Sequence, residues 1–368
     1  MVPRSGLLYR TRYGSVVPMI AIDVREACRP VRTGKGQWTY GLVTELIRRR
    51  VPLTLFTDAE LPDEWKTSSA HAIRFPRGLQ FHSRLAHWLN RHRVGLTYVS
   101  PLSYVVPALV GKRVRTVVIV HDLIAFQSSP HDKKARAIER LTLGRAVRSA
   151  SAVCTISEST KQDLLRRFPR LAPRTVEAVF AGPAKQKPPM NRPDGKTILC
   201  IGTLSPRKNQ RRLVEAFAML PDAIGTSHRL VIAGARGWND EDILSLAKKT
   251  PGVVYSGPVN EQEYERLLTT ATILALPSLY EGFGMQVLDA LQRGLPVLTS
   301  KNGSLPELCG TAAEYVDPLS VEDIARGLSV LLSDASRREE LSKSGPVQAA
   351  RFSWENTADL LLKVVEKE

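Results

Sequence analysis

From residue 19 onwards, short apolar runs alternate with amphipathic stretches. The pattern breaks over a proline-rich segment and then starts again. On the near side of the break, "MIAIDV" (19–24), "PLTLFT" (52–57), "TVVIVHD" (116–122) and "AVCTIS" (152–157) read as strands. Between them, "TYGLVTELIRR" (39–49) puts Leu42, Leu46 and Ile47 on one side, and "ARAIERLTLGRAVRSA" (135–150) has a helical pattern too. "SESTKQDLLRRF" (157–168) opens on a capping serine. Continuous apolar runs such as "TVVIV" suit parallel strands buried on both faces. At 181–195, "AGPAKQKPPMNRPDG" places four prolines among several charges, the composition of a linker. Beyond it the strands "TILCIGT" (197–203), "RLVIAGA" (229–235), "GVVYSG" (252–257) and "TILALPS" (272–278) alternate with the helices "NQRRLVEAFAML" (209–220) and "EQEYERLLTTA" (261–271).

Strand–helix alternation on both sides of a linker predicts an α/β protein of two doubly wound, Rossmann-like domains. Ligands of such sheets bind beyond the carboxyl ends of the strands, so a cleft between two of them is the expected site. The expected boundaries are residues 1–183, a linker at 184–196, and a second domain at 197–350. The helix at 351–368 is capped by Ser353, and its Leu360, Leu361 and Val364 need a surface, expected on the first domain.

The 368 residues are 43% hydrophobic, enough for two cores. No run of about 18 apolar residues is present to span a bilayer. "SVVPMIAIDV" (15–24) is short and lacks a small-residue cleavage site. It reads as the first buried strand rather than a signal peptide, which predicts a cytoplasmic protein. Cys28, Cys154, Cys200 and Cys309 form no C-x-x-C pair, so they read as reduced thiols without a zinc site. The formal net charge of +16 asks for an acidic partner: nucleic acid, anionic lipid or a phosphorylated substrate. The basic residues are dispersed and no nucleic-acid signature accompanies them, so nucleic acid is disfavoured. A solvated basic surface and a membrane-facing one both remain open.

Several constellations carry chemistry. In "LYEGFGMQVLDALQRGLPV" (279–297) a strand is followed by an acid, then by glycines flanking a phenylalanine, then by a helix expected over 284–293. The first amides of that helix lack internal partners and sit at the positive end of its dipole. With no side chain at Gly282 or Gly284, this is a seat for a phosphate. Glu281 beside it fits a ligand that also carries hydroxyls. Asp289 stands eight residues on, either for a ribose or as an i,i+4 partner of Arg293. In "CIGTLSPRKNQRRLVEAF" (200–217), Arg207 and Lys208 follow a strand and precede a helix that Asn209 is placed to cap. A planar fork and a point charge there suit a diphosphate, against the plain alternative of a solvated pair. "DVREACRPVRTGKGQWT" (23–39) puts Gly34 and Gly36 in a turn before the first helix. His121, ending "TVVIV", is expected to face the cleft, against a loop histidine bonded to backbone.

Taken together, "IGTLSPRKN", "LPSLYEGFGMQVLDALQRGLPVLTS" and "PELCGTAAEYVDP" (306–318) resemble family 4 glycosyltransferases of the GT-B fold. "VIVHDL", "SASAVCTISESTKQDL" and "TGKG" extend the match through the first domain, and "RFSWENTA" through the returning C-terminal helix. The resemblance implies two Rossmann-like domains facing across a cleft and a retaining, metal-independent sugar transfer from a nucleotide-sugar to an acceptor hydroxyl. No cofactor is implied, because the nucleotide-sugar is a substrate.

By motif match, Arg207 and Lys208 would hold the diphosphate and Glu281 the sugar hydroxyls. The amides of Phe283, Gly284 and Met285 would meet sugar and phosphate, and Asp289 the ribose. His121 would face the donor sugar, and the loop of Gly34 and Gly36 would close over phosphate or acceptor. Two departures stand out. The family's usual E-x7-E ends here in Asp289, and Thr203 stands where some members carry a basic residue. The N-terminal region looks most like bacterial enzymes of surface-polysaccharide synthesis, which favours GDP-mannose as donor. A glycan or lipid-linked glycan is the implied acceptor, with the protein peripheral on an anionic inner membrane face. A UDP-sugar 2-epimerase-like isomerase and a non-enzymatic binding module share the fold and remain the alternatives.

Overall fold

Residues 9–10, 16–17, 19–126, 133–171, 176–185, 188 and 190–366 are described by the computed structural model. They divide into two units: residues up to 126, 133–182 and 353–366 form the first, and 183–352 the second.

In the first unit, β1 (Tyr9–Arg10) and β2 (Val16–Val17) pair as a short antiparallel ribbon. The main sheet contains β3 (Met19–Asp23), β4 (Leu53–Thr57), β5 (Ala70–Arg74), β6 (Leu96–Ser100), β7 (Arg115–Val120), β8 (Ala152–Thr155) and β9 (Val176–Ala178). Its order is β5-β4-β3-β6-β7-β8-β9, parallel throughout. The second unit has β10 (Thr197–Ile201), β11 (Arg229–Ala233), β12 (Val253–Gly257), β13 (Ile273–Leu276), β14 (Val297–Ser300) and β15 (Glu314–Val316). They are also parallel, in the order β12-β11-β10-β13-β14-β15. The apolar runs are central because every residue of β4, β6, β10, β13 and β14 is buried or nearly so. In both sheets the first strand lies in the middle, the next two build outward on one side, and the chain then crosses to the other. The connections leaving β3 and β6, and those leaving β10 and β13, therefore part in opposite directions, and a crevice opens where they part.

The helix Trp354–Glu366 belongs to the first unit and lies on the helix Gly34–Arg48. Trp354 enters the gap left at Gly41, where a Cβ would come within 2.1 Å of its ring. Arg49 pairs with Asp359 and donates through Nη2 to the Glu355 carbonyl at 2.8 Å. The buried face of this helix is Leu361, Leu362, Val364 and Val365, with Leu360 half-buried.

The segment expected as a linker at 184–196 is bonded along the second unit where it is described. The side-chain amide of Asn191 donates to the carbonyls of Leu268, Thr269 and Ala271 at 3.2, 3.0 and 2.9 Å. These carbonyls lie at the end of the helix Glu261–Thr270, where the last turn leaves oxygens without internal partners. Arg192 N and Asp194 N donate to Thr269 O and Thr270 O at 2.6 and 2.8 Å.

Candidate active site

The loop leaving β10 makes one tight helical turn, Pro206–Lys208, and passes through Asn209 in the left-handed conformation, φ 60. Asn209 was expected to cap the next helix with its side chain, and it does not. Its buried amide donates instead to Pro277 O at 2.9 Å and Pro318 O at 2.7 Å, tying the loop after β10 to those after β13 and β15. Leu279 N donates back to Arg207 O at 2.8 Å. The two loops bound in this way flank the crevice between β10 and β13, and they carry the candidate charges.

Glu281, 5% exposed, is the hub. Arg207 Nη1 donates to its Oε2 at 2.8 Å and to Tyr280 O at 2.6 Å. Lys208 Nζ lies 2.7 Å from its Oε1, which also accepts from Ser278 Oγ at 2.7 Å. Burial alone would raise the carboxyl's pKa. The Arg207 and Lys208 charges and the bonds from Lys208 and Ser278 outweigh it and bring it to about 2, so Glu281 is ionised at neutral pH. Lys208 moves the other way from an ordinary ion-paired lysine. Burial lowers its pKa, Arg207 adds to that, and Glu281 offsets only part. Both directions follow from one arrangement, in which two cations share one carboxylate and the site carries surplus positive charge in a water-poor place.

The helix Met285–Gln292 begins at the same spot. Gly284, its N-cap at φ 96, offers no side chain to its amides, and a Cβ there would also press on Leu305 and Leu308 at 3.3 Å. A Cβ built on Gly202 would sit 3.7 Å from Lys208 Nζ and 3.5 Å from Gln286 Nε2, so the lysine and the first turn of this helix converge on the end of β10. The loop is held from behind. Ser304 Oγ donates to Glu281 O and Phe283 O at 3.1 and 2.8 Å, and Gly303 (φ 60) brings the chain to within 2.3 Å of Glu281 O as measured from a Cβ built on it. The Phe283 ring is core, edge-on to Phe352 at 5.7 Å, so only its backbone faces the loop.

Asp289 departs from expectation. Its carboxylate is buried, 2% exposed, and accepts from Ala184 N at 2.8 Å and Tyr264 OH at 2.7 Å. It anchors the start of the 183–196 segment instead of lying open to ribose hydroxyls. Burial raises its pKa against these bonds. The alternative pair with Arg293 is not made either. Arg293 donates to the Asp289 backbone carbonyl at 2.6 Å, and its guanidinium pairs with Glu265 at 2.7 Å.

In the first unit, Gly34 and Gly36 do not form a turn before the helix but lie in its first turn, capped by Thr33, whose Oγ1 accepts from Gly36 N at 3.2 Å. Gly34 has open space around it, whereas a Cβ at Gly36 would lie 2.7 Å from Glu26 O. His121, expected to face an open cleft, is 4% exposed. It donates from Nε2 to Pro101 O at 2.8 Å and sits edge-on to Trp38 at 5.4 Å. Burial and the nearby Lys35 push its pKa down to about 3, so the ring is neutral. Lys35, between the two glycines, lies 4.0 Å from Glu139.

Ser278, Asn209 and Lys35 were not singled out as site residues. Ser278 and Asn209 sit inside the quoted "LPSLYEG" and "RKN", so their signal was adjacency to the chosen residues. Among the described residues no group of three or more His, Cys, Asp or Glu is placed to hold a metal ion.

Two parallel nucleotide-type sheets, one with a cation pair and a bare helix entrance at its switch point, define the class: a two-unit enzyme of the GT-B fold. Residues 33–182 match the glycosyltransferase family 4 description and residues 183–348 the glycosyl transferases group 1 description. O-antigen chain mannosyltransferase B of Escherichia coli is 30% identical over 90% of this chain and 96% of its own length. The serotype-specific mannosyltransferase WbdA of the same organism is 28% identical over 68% of this chain but only 33% of its own length. Among solved structures, a sucrose-phosphate synthase from Thermosynechococcus elongatus superposes with a TM-score of 0.74 at 18% identity, covering 94% and 97% of the two chains. WaaG, a glycosyltransferase involved in lipopolysaccharide biosynthesis, gives 0.68 at 15%, covering 94% and 99%. This chain belongs to the family 4 glycosyltransferases of the GT-B fold.

Proposed function

We propose that the enzyme moves a sugar from a nucleotide-sugar to a hydroxyl of a glycan or lipid-linked glycan, with retention of configuration and without a metal ion, in cell-surface polysaccharide synthesis. The observation that carries this reading is the Arg207–Lys208–Glu281 cluster beside the bare N-terminus of the helix Met285–Gln292. When the bond from the sugar anomeric carbon to the phosphate oxygen breaks, the electron pair stays with the diphosphate. The charge that develops there meets Arg207, Lys208 and the amides of Phe283, Gly284 and Met285. Stabilisation of this kind needs no reorganisation if the donors are already in place. Glu281 stays ionised and accepts a donor-sugar hydroxyl at the one acceptor position that Arg207, Lys208 and Ser278 leave on it, while its ion pairs keep both cations aimed. The departing phosphate oxygen takes the acceptor proton on the face where the new bond to the anomeric carbon forms.

The named mannosyltransferase relatives favour a mannosyl donor, GDP-mannose. The net charge of +16, with no described helix long and apolar enough to cross a membrane, favours work on the inner face of an anionic membrane. The test is a nucleotide-sugar panel with polysaccharide-repeat acceptors, the anomeric configuration of product being read by NMR. Transfer from GDP-mannose with retention is expected. The absence of both turnover and nucleoside diphosphate binding overturns the reading, and an epimer formed from donor alone identifies an isomerase.

A further inference from the structure

The helix Lys133–Ser149 of the first unit has two unlike faces. Leu143, Ala146 and Val147 are buried in the core. Ile138, Leu141, Arg145 and Arg148, at spacings of three and four, share the opposite face. That face is not the usual solvated one. Leu141 is 80% exposed and Ile138 43%, and Leu109 of the neighbouring helix Val105–Val110 is 54% exposed.

The arginines among them converge. Arg140, Leu141, Arg145, Arg148, Arg167 and Arg170 line an open cavity of about 450 Å³ floored by Phe126 and Phe168. The Arg167 guanidinium lies 5.0 Å from the Phe126 ring centre and 5.6 Å from that of Phe168. A second cavity opens on the other side of Arg145, between Leu109, Lys112 and Arg113. Among the described residues, none of these arginines and lysines is in an ion pair. Arg140 donates only to a neutral acceptor, Ala125 O, at 2.7 Å. The carboxylates close by are engaged elsewhere, Glu139 facing Lys35 at 4.0 Å and Asp163 pairing with Arg166.

Converging unpaired cations call for an anion, and their planar forks suit phosphate. Exposed leucine and isoleucine on the same face call for an apolar medium. Nucleic acid would satisfy the arginines and leave the leucines in water. The boundary of an anionic bilayer satisfies both, because phosphates and acyl chains lie within a side chain's length of each other there. We propose that this face of the first unit docks on an anionic phospholipid bilayer, with a headgroup phosphate in the arginine-lined cavity and Leu141 entering the headgroup–acyl boundary. The proposal rests on the inner-membrane reading above and names the surface that performs it.

The test is co-sedimentation of the full chain with vesicles of equal parts phosphatidylglycerol and phosphatidylcholine, with phosphatidylcholine alone as the comparison, and binding to a DNA duplex at the same ionic strength. Wild type is expected on the anionic vesicles only. A basic side chain near an anionic surface is worth about fivefold in partitioning, so Arg145→Gln/Arg148→Gln should lose roughly 25-fold. Leu141→Gln should lose about threefold to tenfold, from apolar area no longer buried. Lys248→Gln/Lys249→Gln, the same charge change on an exposed stretch of the second unit, should stay near wild type. All these positions are exposed, and melting curves check that each variant folds.

If wild type binds but the Arg145/Arg148 variant binds equally, or the Lys248/Lys249 variant falls as far, this surface is wrong while the membrane reading stands. If wild type binds no vesicle, or binds only DNA, both fail, and donor turnover with a soluble acceptor shows separately whether sugar transfer survives.

Discussion

Glu281→Gln is the most informative perturbation of the site, because one atom exchange removes the charge that two buried cations share. In the folded chain the Glu281 carboxyl has a pKa of about 2 against an ordinary 4.5. The group is buried, so solvent screening takes little from the interaction. A carboxylate whose folded pKa is depressed contributes stability that is complete above the unfolded pKa and is lost as pH falls towards the folded one, here between about 4.5 and 2. At about 1.36 kcal/mol per pKa unit, that difference is roughly 3 kcal/mol at neutral pH. The independent expectation for removing one partner of a buried ion pair, about 3–5 kcal/mol, agrees.

The assay is urea unfolding at pH 7 and again near pH 3, fitted with two transitions because the chain has two units. At pH 7 the variant should lose about 3 kcal/mol in the transition of the second unit, and the gap should narrow at the lower pH. Lys208→Gln added to Glu281→Gln should cost less than the sum of the singles by at least about 1 kcal/mol, since the second change removes a cation left unpaired by the first. A loss under about 1 kcal/mol at pH 7, or strict additivity, would refute the reasoning.

Other outcomes follow from the same geometry. If Lys208 holds the diphosphate as proposed, Lys208→Ala should lower turnover by about 10²–10³ with the fold retained, since the developing charge loses one of its two cations; wild-type rates would sink the assignment. Because burial and Arg207 lower the Lys208 pKa, and the cation is the working form, kcat/KM should fall as pH rises, starting below the range of an ordinary lysine. A flat alkaline limb would count against it. Asp289→Ala should cost about 1–3 kcal/mol by orphaning Ala184 N and the Tyr264 hydroxyl, with nucleoside diphosphate Kd near wild type. Normal melting with Kd weakened tenfold would restore the ribose contact. Gly284→Ala should destabilise by about 1–3 kcal/mol, since φ 96 is unsuited to a side chain; a neutral effect seen by calorimetry would show that the loop relaxes.

Much of the fold was legible from residues 19–24, 116–122, 197–203 and 272–278, because a strand buried on both faces must be apolar without interruption. Other strands were not. In β5 exposed residues interrupt the apolar pattern. β6 is a five-residue run that the apolar helix Val105–Val110 follows after only four residues, and a short apolar run beside another cannot be typed by its periodicity, although Pro101 and Ser103 mark the turn between them.

At the site, the types and spacing of Arg207, Lys208, Glu281 and Gly284 could be read from the chain, because a cation pair and a bare helix entrance are local features. Local sequence determined which groups were available; tertiary structure decided what each one faces. That Glu281 holds both cations depends on β10 and β13 being neighbours, though the paired residues Ile198 and Ile273 lie 75 positions apart in the sequence. Asp289 meets Ala184 and His121 meets Pro101 through contacts no spacing encodes. A side chain's charge and reach are carried in its own residue, but its burial and its partners belong to the chain segments brought beside it, and only the packed sheets supply those.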